Sequence, residues 1–248
     1  MRAFSRLRSN HRARALAAAV RTGAARARAY VRSAPGTYLW LAVLFVTTVL
    51  VHFMSPEFET EFLRRRSTNI EQLSTDPLRV LISSALWIDG GGWLSYAVLY
   101  SVFHAPAERW LGTLRWAVVA VTAHVLATFA SQGALLWAIR HGLAPESAAD
   151  TLDFGVSYAL AGVVGVLVYH IAAPWRYVYL AGVLIVYGLP LVTGHTFTDL
   201  GHFVSVLIGL ACVPLTRGRG PAWNPMDTVG RVREGLRRRK EPGGGAGG

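Results

Sequence analysis

Two residues in this chain are of types that together could carry out nucleophilic chemistry: Ser157 and His202. Ser157 sits near the start of "DFGVSYALAGVVGVLVYH", residues 153–170, where one acid is followed by a long uncharged run. His202 opens a second apolar run. A serine hydroxyl is not ionised at neutral pH, so it attacks a carbonyl only if a neighbouring base takes its proton. A neutral imidazole is such a base. The competing reading is packing. Ser157, Ala161 and Gly165 recur at every fourth position, as do Gly201, Ser205 and Gly209, and Gly162 adds to the first set. Faces of small residues let two helices approach closely in a membrane. Ser157 is then either a nucleophile or one more small side chain.

A second chemistry starts from "HTFTDLGH". His195, Asp199 and His202 would fall on one helix face, and two imidazoles with a carboxylate can hold a catalytic metal. The alternative is a helix start. Thr196 and Thr198 are capping residues, Asp199 suits the positive end of a helix, and His195 then lies in the loop. The Gly-x-Ser-x-Gly elbow of soluble hydrolases is not present, because the fifth position is Ala159 and no strand precedes the serine.

The elements that must position these residues are apolar helices. The chain has 248 residues, 52% hydrophobic and only 16% charged, against about 25% charged in soluble domains. Its mean hydropathy is +0.35. Runs of about 20 apolar residues span a bilayer. Six are expected, at about 37–54, 92–107, 113–139, 154–172, 174–193 and 197–216. The second is short and follows Gly90, Gly91 and Gly92. The apolar segment 78–88 before it is either interfacial, re-entrant or part of that span, which leaves five or seven spans open. The expectation is an all-α membrane protein with one domain over 35–216. It is flanked by a basic tail, 1–34, and a basic, Gly-rich tail, 217–248.

The net charge of +11 invites a nucleic-acid reading, but location opposes it. Residues 1–33 carry nine arginines and no acid, and the tail from Arg217 carries eight basic residues and three acids. No aromatic residues interleave these arginines as a base-stacking surface requires. Such flanks instead mark the cytoplasmic side of a membrane core and contact anionic lipid. With six spans both tails lie in the cytoplasm, as do Arg109, Arg115 and Arg176, while Glu146, Asp150, Asp153 and Asp199 lie outside. Loop 55–79 breaks the pattern with Arg64, Arg65, Arg66 and Arg79, accompanied by five acids. The arginine-rich, acid-free start also has the character of a mitochondrial presequence, although the Ala/Gly/Arg bias suits a bacterial plasma membrane protein. Cys212 is the only cysteine, so an intrachain disulfide is excluded.

Both candidate residues then lie near the outer surface. At about 1.5 Å per residue, Ser157 is about 5 Å into its span and His202 about 8 Å into its own. His124 and His170 are read as helix-packing or interfacial side chains. A transporter would need broken helices at mid-depth or an internal repeat, and the sequence offers neither.

With these residues in view, the chain resembles the rhomboid family of intramembrane serine proteases, especially its divergent bacterial members, over roughly residues 37–216. Gly155, Ser157, Gly162 and Gly165 match the family's fourth-span motif. His202 and Gly209 match the sixth-span motif, and Glu108 and Gly112 of "ERWLG" match a motif after the second. The resemblance implies a six-helix bundle in which Ser157 attacks a peptide carbonyl and His202 is the base, with no third acid, no metal and no cofactor. It implies membrane-protein substrates cut near the outer end of a span. The departures are Tyr158 where the family has Gly, Ala161 where it has an aromatic, and Ser205 where it has Gly. In the second span, Gly92 and Tyr96 replace the His and Asn that stabilise the oxyanion. The backbone around Gly155 and Ser157, with Tyr96, Tyr158 or Trp93, is left to support the oxyanion. A pseudoprotease that binds membrane clients without cutting them is the alternative, and a metal-dependent membrane hydrolase a lesser one. Substrate identity and oligomeric state are open.

Overall fold

Prolines and small polar side chains mark where most helices begin. In the structure, a computed structural model describing residues 2–88, 92–194 and 196–240, Pro35, Pro56 and Pro77 each occupy a first helical turn. There a missing N–H costs nothing and φ is already set. Ser55, Asn69 and Asp76 cap the helices that follow them, accepting from Phe58 N, Gln72 N and Arg79 N. The elements are α1 (Arg2–Arg32), α2 (Pro35–His52), three short helices α3 (Pro56–Arg64), α4 (Ile70–Thr75) and α5 (Pro77–Ser84), then α6 (Trp93–Leu99) and α7 (Ala105–Leu111). They continue with α8 (Thr113–Arg140), α9 (Gly155–Val166), α10 (Trp175–Thr193), α11 (Phe197–Ala211), α12 (Val213–Thr216) and α13 (Pro225–Lys240). Among the described residues the only β pairing is an isolated bridge between Ile171 and Trp223.

Three helices are long and apolar enough to cross a bilayer by length and composition: α2, α8 and α10. A fourth crossing is composite. A π-helical turn, Tyr100–His104, joins α6 to α7 without a break. Pro106 cannot donate to the preceding turn, which favours such a widened turn. The remaining apolar helices, Gly155–His170 (its last turn 3-10) and Phe197–Ala211, are shorter. This is an all-α membrane bundle of six helices. Segment 78–88 is no span: α5 has eight residues, about 12 Å at the α-helical rise. The second span runs on to Leu111, beyond the expected end, and the sixth ends its first helix at Ala211 before a separate turn, α12.

α9 is the centre of the bundle. All but one of its residues are buried, whereas Val183 is the one buried residue of α10. Lipid-facing side chains such as Phe45, Val121, Phe129, Ile185 and Val192 stay exposed. α9 packs between α8 and α11 through glycines. A Cβ on Gly165 would lie 2.5 Å from the Val206 carbonyl oxygen, and one on Gly201 would lie 2.6 Å from the Tyr158 ring. A Cβ on Gly209 would collide with the Gly162 carbonyl, and one on Gly162 with the Ala123 side chain. Ser205 Oγ donates to the Tyr158 carbonyl. Small side chains therefore bring the two backbones together, as such faces do in lipid.

The opposite end is fastened by Glu108. Its carboxylate accepts from Gly36 N (2.8 Å), Thr37 N (2.7 Å) and Thr37 Oγ1 (2.7 Å), capping the first turn of α2. Thr113 Oγ1 donates to it as well (2.8 Å). Gly112 reverses the chain between α7 and α8 at φ +79°, a backbone region that favours glycine. The irregular loop charges also resolve. Arg64 pairs with Glu61 (2.9 Å) and Glu71 (2.8 Å), and Arg65 with Glu61 (2.5 Å). Arg66 lies 3.3 Å over the Phe62 ring centroid. Hydrogen bonds from Arg64 and Arg65 lower the Glu61 pKa to about 2. Acids in the same loop thus offset two of the arginines that break the charge pattern.

Candidate active site

Ser157 is the one residue of α9 that is not buried; the other eleven, Gly155 to Val166, are. It occupies the third helical position, and no side chain caps this helix end among the described residues. The first four amides of a helix have no partner within it, so the Ser157 N–H lies among free donors at the positive end of α9. Its hydroxyl donates to the Phe154 carbonyl one turn back, at 3.3 Å.

His202 lies on the facing helix. α9 and α11 run in the same direction, since Tyr158 meets Gly201 and Gly162 meets both Ser205 and Gly209. Ser157 and His202, each next to one of the pair Tyr158 and Gly201, therefore share a level in the bundle. The His202 ring is held edge-on by Tyr158, with centroids 5.1 Å apart, and meets Tyr187 at 6.2 Å. Tyr187 and Tyr96 pack against the same buried cluster, and Tyr96 meets Tyr100 at 6.1 Å. Four aromatic side chains thus connect the second, fourth and fifth spans around the imidazole. No hydrogen bond joins Ser157 to His202 among the described residues.

The residue that sequence reasoning missed is Asp153. It was counted with the outer loop charges, yet it is 3% exposed. Oδ2 accepts from Tyr158 Oη (2.9 Å) and Gln132 Nε2 (3.0 Å). Its backbone N–H donates to Ser67 Oγ (2.7 Å), and its carbonyl accepts from Thr68 N (2.9 Å). Burial raises the Asp153 pKa, and hydrogen bonds from Gln132, Tyr158 and Thr68 oppose that shift. Asp153 ties the entry of α9 to the loop helices and to α8. A polar residue at Gln132, deep in an apolar run, was the available signal. From Gln132, α8 continues eight residues to Arg140, about 12 Å at the helical rise. The start of α9 therefore lies about 12 Å short of the end of α8.

The other candidates fall into place around this centre. Gly155 packs on the ring of His124, whose Nε2 lies 2.9 Å from the Leu81 carbonyl. Gly155 and His124 therefore meet as packing partners at the entry of α9. The Tyr158 hydroxyl is committed to Asp153, with Ser131 Oγ 3.3 Å away. Of the metal candidates, His195 lies outside the described residues. Asp199 forms a capping box with Thr196: its carboxylate accepts from Thr196 N and Oγ1, while its own N–H donates to Thr196 Oγ1. That is the helix-start arrangement. No cluster of three potential metal ligands occurs among the described residues.

No curated protein and no solved structure matches the chain. A family model described as rhomboid-like protein matches residues 29–222, a stretch that contains Glu108, Gly112, Ser157 and His202 together with all six membrane helices. With most of its length and its whole helical bundle inside that match, this chain belongs to the rhomboid-like protein family.

Proposed function

We propose that this membrane protein is an intramembrane serine protease with Ser157 as nucleophile and His202 as general base. The observation that carries this reading is the partial exposure of Ser157 on a helix whose other residues are all buried. Close helix packing in this bundle is made by Gly162, Gly165, Ser205 and Gly209, so Ser157 is not needed for it. Water for hydrolysis would reach Ser157 from the end of the bundle at which α9 begins.

In this mechanism the Ser157 hydroxyl turns from the Phe154 carbonyl toward His202. It gives up its proton to the imidazole as Oγ bonds the peptide carbonyl carbon. Catalytic hydrogen bonds often tighten only when substrate is bound. The oxyanion is met by the Ser157 N–H, and the Tyr96 phenol is the candidate for a second donor. Collapse of the tetrahedral intermediate breaks the C–N bond, and the proton passes from His202 to the leaving amine. Water then attacks the acyl-enzyme, His202 taking its proton, and Ser157 is restored. Substrates would be membrane-protein segments entering at the level of Ser157. Labelling of the purified protein by a serine-directed phosphonate, lost in Ser157→Ala, tests the assignment.

The orientation that goes with this reading places both tails in the cytoplasm of a bacterial cell, with the start of α9 facing outward. A reporter after Gly248 that is active only outside the cell would overturn it.

A second reading has an observation of its own. The Ser157 hydroxyl is occupied by Phe154, and Gly92 and Tyr96 stand where the family has its oxyanion His and Asn. A pseudoprotease that holds membrane clients without cutting them would keep the fold and take no label.

A further inference from the structure

At the arginine-rich end of the bundle, opposite Ser157, two adjoining cavities share Pro106, Arg109 and His170. The inner one, about 390 Å³, is an apolar chamber walled by Val102, Phe103, Leu167, Ile171 and Trp223 among others. The outer one, about 350 Å³, is bounded by Trp110, Gly220 and Pro221 as well. The chain closes this end by folding back. Trp223 N donates to the His170 carbonyl (2.7 Å), and Ala172 N donates to the Trp223 carbonyl (2.9 Å). Arg115 Nη1 holds the Leu215 and Arg217 carbonyls. The segment after α12 is therefore part of the wall.

Arg109 lines the outer cavity, and Arg219 adjoins its wall residue Gly220. The Arg109 guanidinium lies 4.4 Å over the Tyr30 ring, which fixes it at the rim. The Arg219 guanidinium nitrogens lie 3.7 and 3.8 Å from where a Gly112 Cβ would be, over the end of α7. The Trp110 and His170 rings stand 4.8 Å apart. Trp110 Nε1 and Arg219 Nε, which can only donate, are buried with no acceptor among the described residues. Among the described residues no carboxylate lines either cavity. The nearest in sequence, Glu108, is spent on Gly36, Thr37 and Thr113. An anion with several acceptor oxygens fits this lining, and the apolar chamber behind it fits a hydrocarbon chain.

We propose that this site binds one anionic phospholipid, its phosphate between Arg109, Trp110 and Arg219 and an acyl chain in the chamber. The lipid would then fasten the folded-back segment 217–223 to α7 and to the end of the fourth span. This goes beyond nonspecific contact of the basic tails with a charged surface, because it needs a headgroup and a chain together. It does not depend on Ser157 or His202.

The test is thermal unfolding of the delipidated full chain in detergent with added lipid. Phosphatidylglycerol is expected to raise Tm saturably, with phosphatidylcholine and inorganic phosphate giving little. In Arg109→Gln the apparent affinity for phosphatidylglycerol should fall about fivefold, the effect of one cation near a membrane surface. Val102→Trp, at an exposed edge of the chamber, should weaken binding without removing any charge. Arg237, Arg238 and Arg239 changed together to Gln should leave it intact. Equal responses to phosphatidylcholine would show only a general lipid shell. A full response to inorganic phosphate would show a simple anion site. Loss in the triple tail variant, or none in both Arg109→Gln and Val102→Trp, would also overturn the proposal.

Discussion

The Tyr158 hydroxyl donates to Asp153 Oδ2 at 2.9 Å while the same ring stands edge-on to His202 with centroids 5.1 Å apart. One side chain therefore links the buried carboxylate at the entry of α9 to the imidazole on α11. Tyr158 lies directly after Ser157, so whatever fixes its ring also constrains the serine's backbone.

The Asp153 carboxylate gives this link a pH dependence. Burial raises its folded pKa above the unfolded value, so the folded state binds the proton more tightly. The stabilisation from that proton is full at acid pH and is lost as pH rises from about 4, the unfolded value, through the raised folded value. Relative to Asp153→Asn, the wild type should lose Tm over that window. Matching Tm profiles for the two proteins from pH 4 to 8 would contradict it. Tyr158→Phe should cost about 1–3 kcal/mol, since Asp153 would lose a buried donor.

The glycine contacts predict sharp position dependence. Gly165→Ala and Gly209→Ala each place a methyl against a backbone carbonyl, which cannot rotate away as a side chain could. Each should cost about 1–3 kcal/mol, in the range for overpacking. Gly133→Ala meets open space and should be neutral or slightly stabilising. Thermal unfolding in detergent distinguishes these, and equal loss at Gly133 and Gly209 would refute the packing assignment.

Glu108 anchors two helices at once. Glu108→Ala strands the Gly36 and Thr37 amides and two hydroxyls, and should destabilise by about 3 kcal/mol or more, given about 1–3 kcal/mol for each buried partner lost. Glu108→Gln keeps acceptor capacity on one oxygen and should lose less. Protease susceptibility near residues 30–40 would report the release of the α2 end, and an unchanged digestion pattern in Glu108→Ala would argue against it.

Much of this molecule was legible in its sequence because membrane helices announce themselves as apolar runs. The six spans and the small-residue faces of α9 and α11 follow from periodicity and from the geometric limits of lipid packing. What was not legible depended on distance along the chain. Asp153 read as a loop charge, because its backbone partner Ser67 is 86 residues away and its partner Gln132 lies on another helix. Glu108 matched a motif, but its function as a cap depends on Gly36 and Thr37, more than 70 residues upstream. The π-turn at Tyr100–His104 has only Pro106 as a sequence sign. Ser157 itself was ambiguous by spacing alone, because its face of the helix repeats like a packing face. Burial separates it from Ser205, which is wholly buried and bonded to the Tyr158 carbonyl.

The most direct measurement of the central claim is the rate of covalent labelling by a serine-directed phosphonate as a function of pH. His202 can accept the serine proton only when neutral, and an unperturbed histidine titrates near 6.5, so labelling should rise as pH increases and the ring loses its proton. Ser157→Ala should abolish the label while keeping Tm within about 0.5 kcal/mol equivalents of stability. His202→Ala should reduce the rate sharply, and EDTA should leave it unchanged. A folded wild-type protein that takes up no label, or one whose label persists in Ser157→Ala, would contradict the Ser157–His202 assignment.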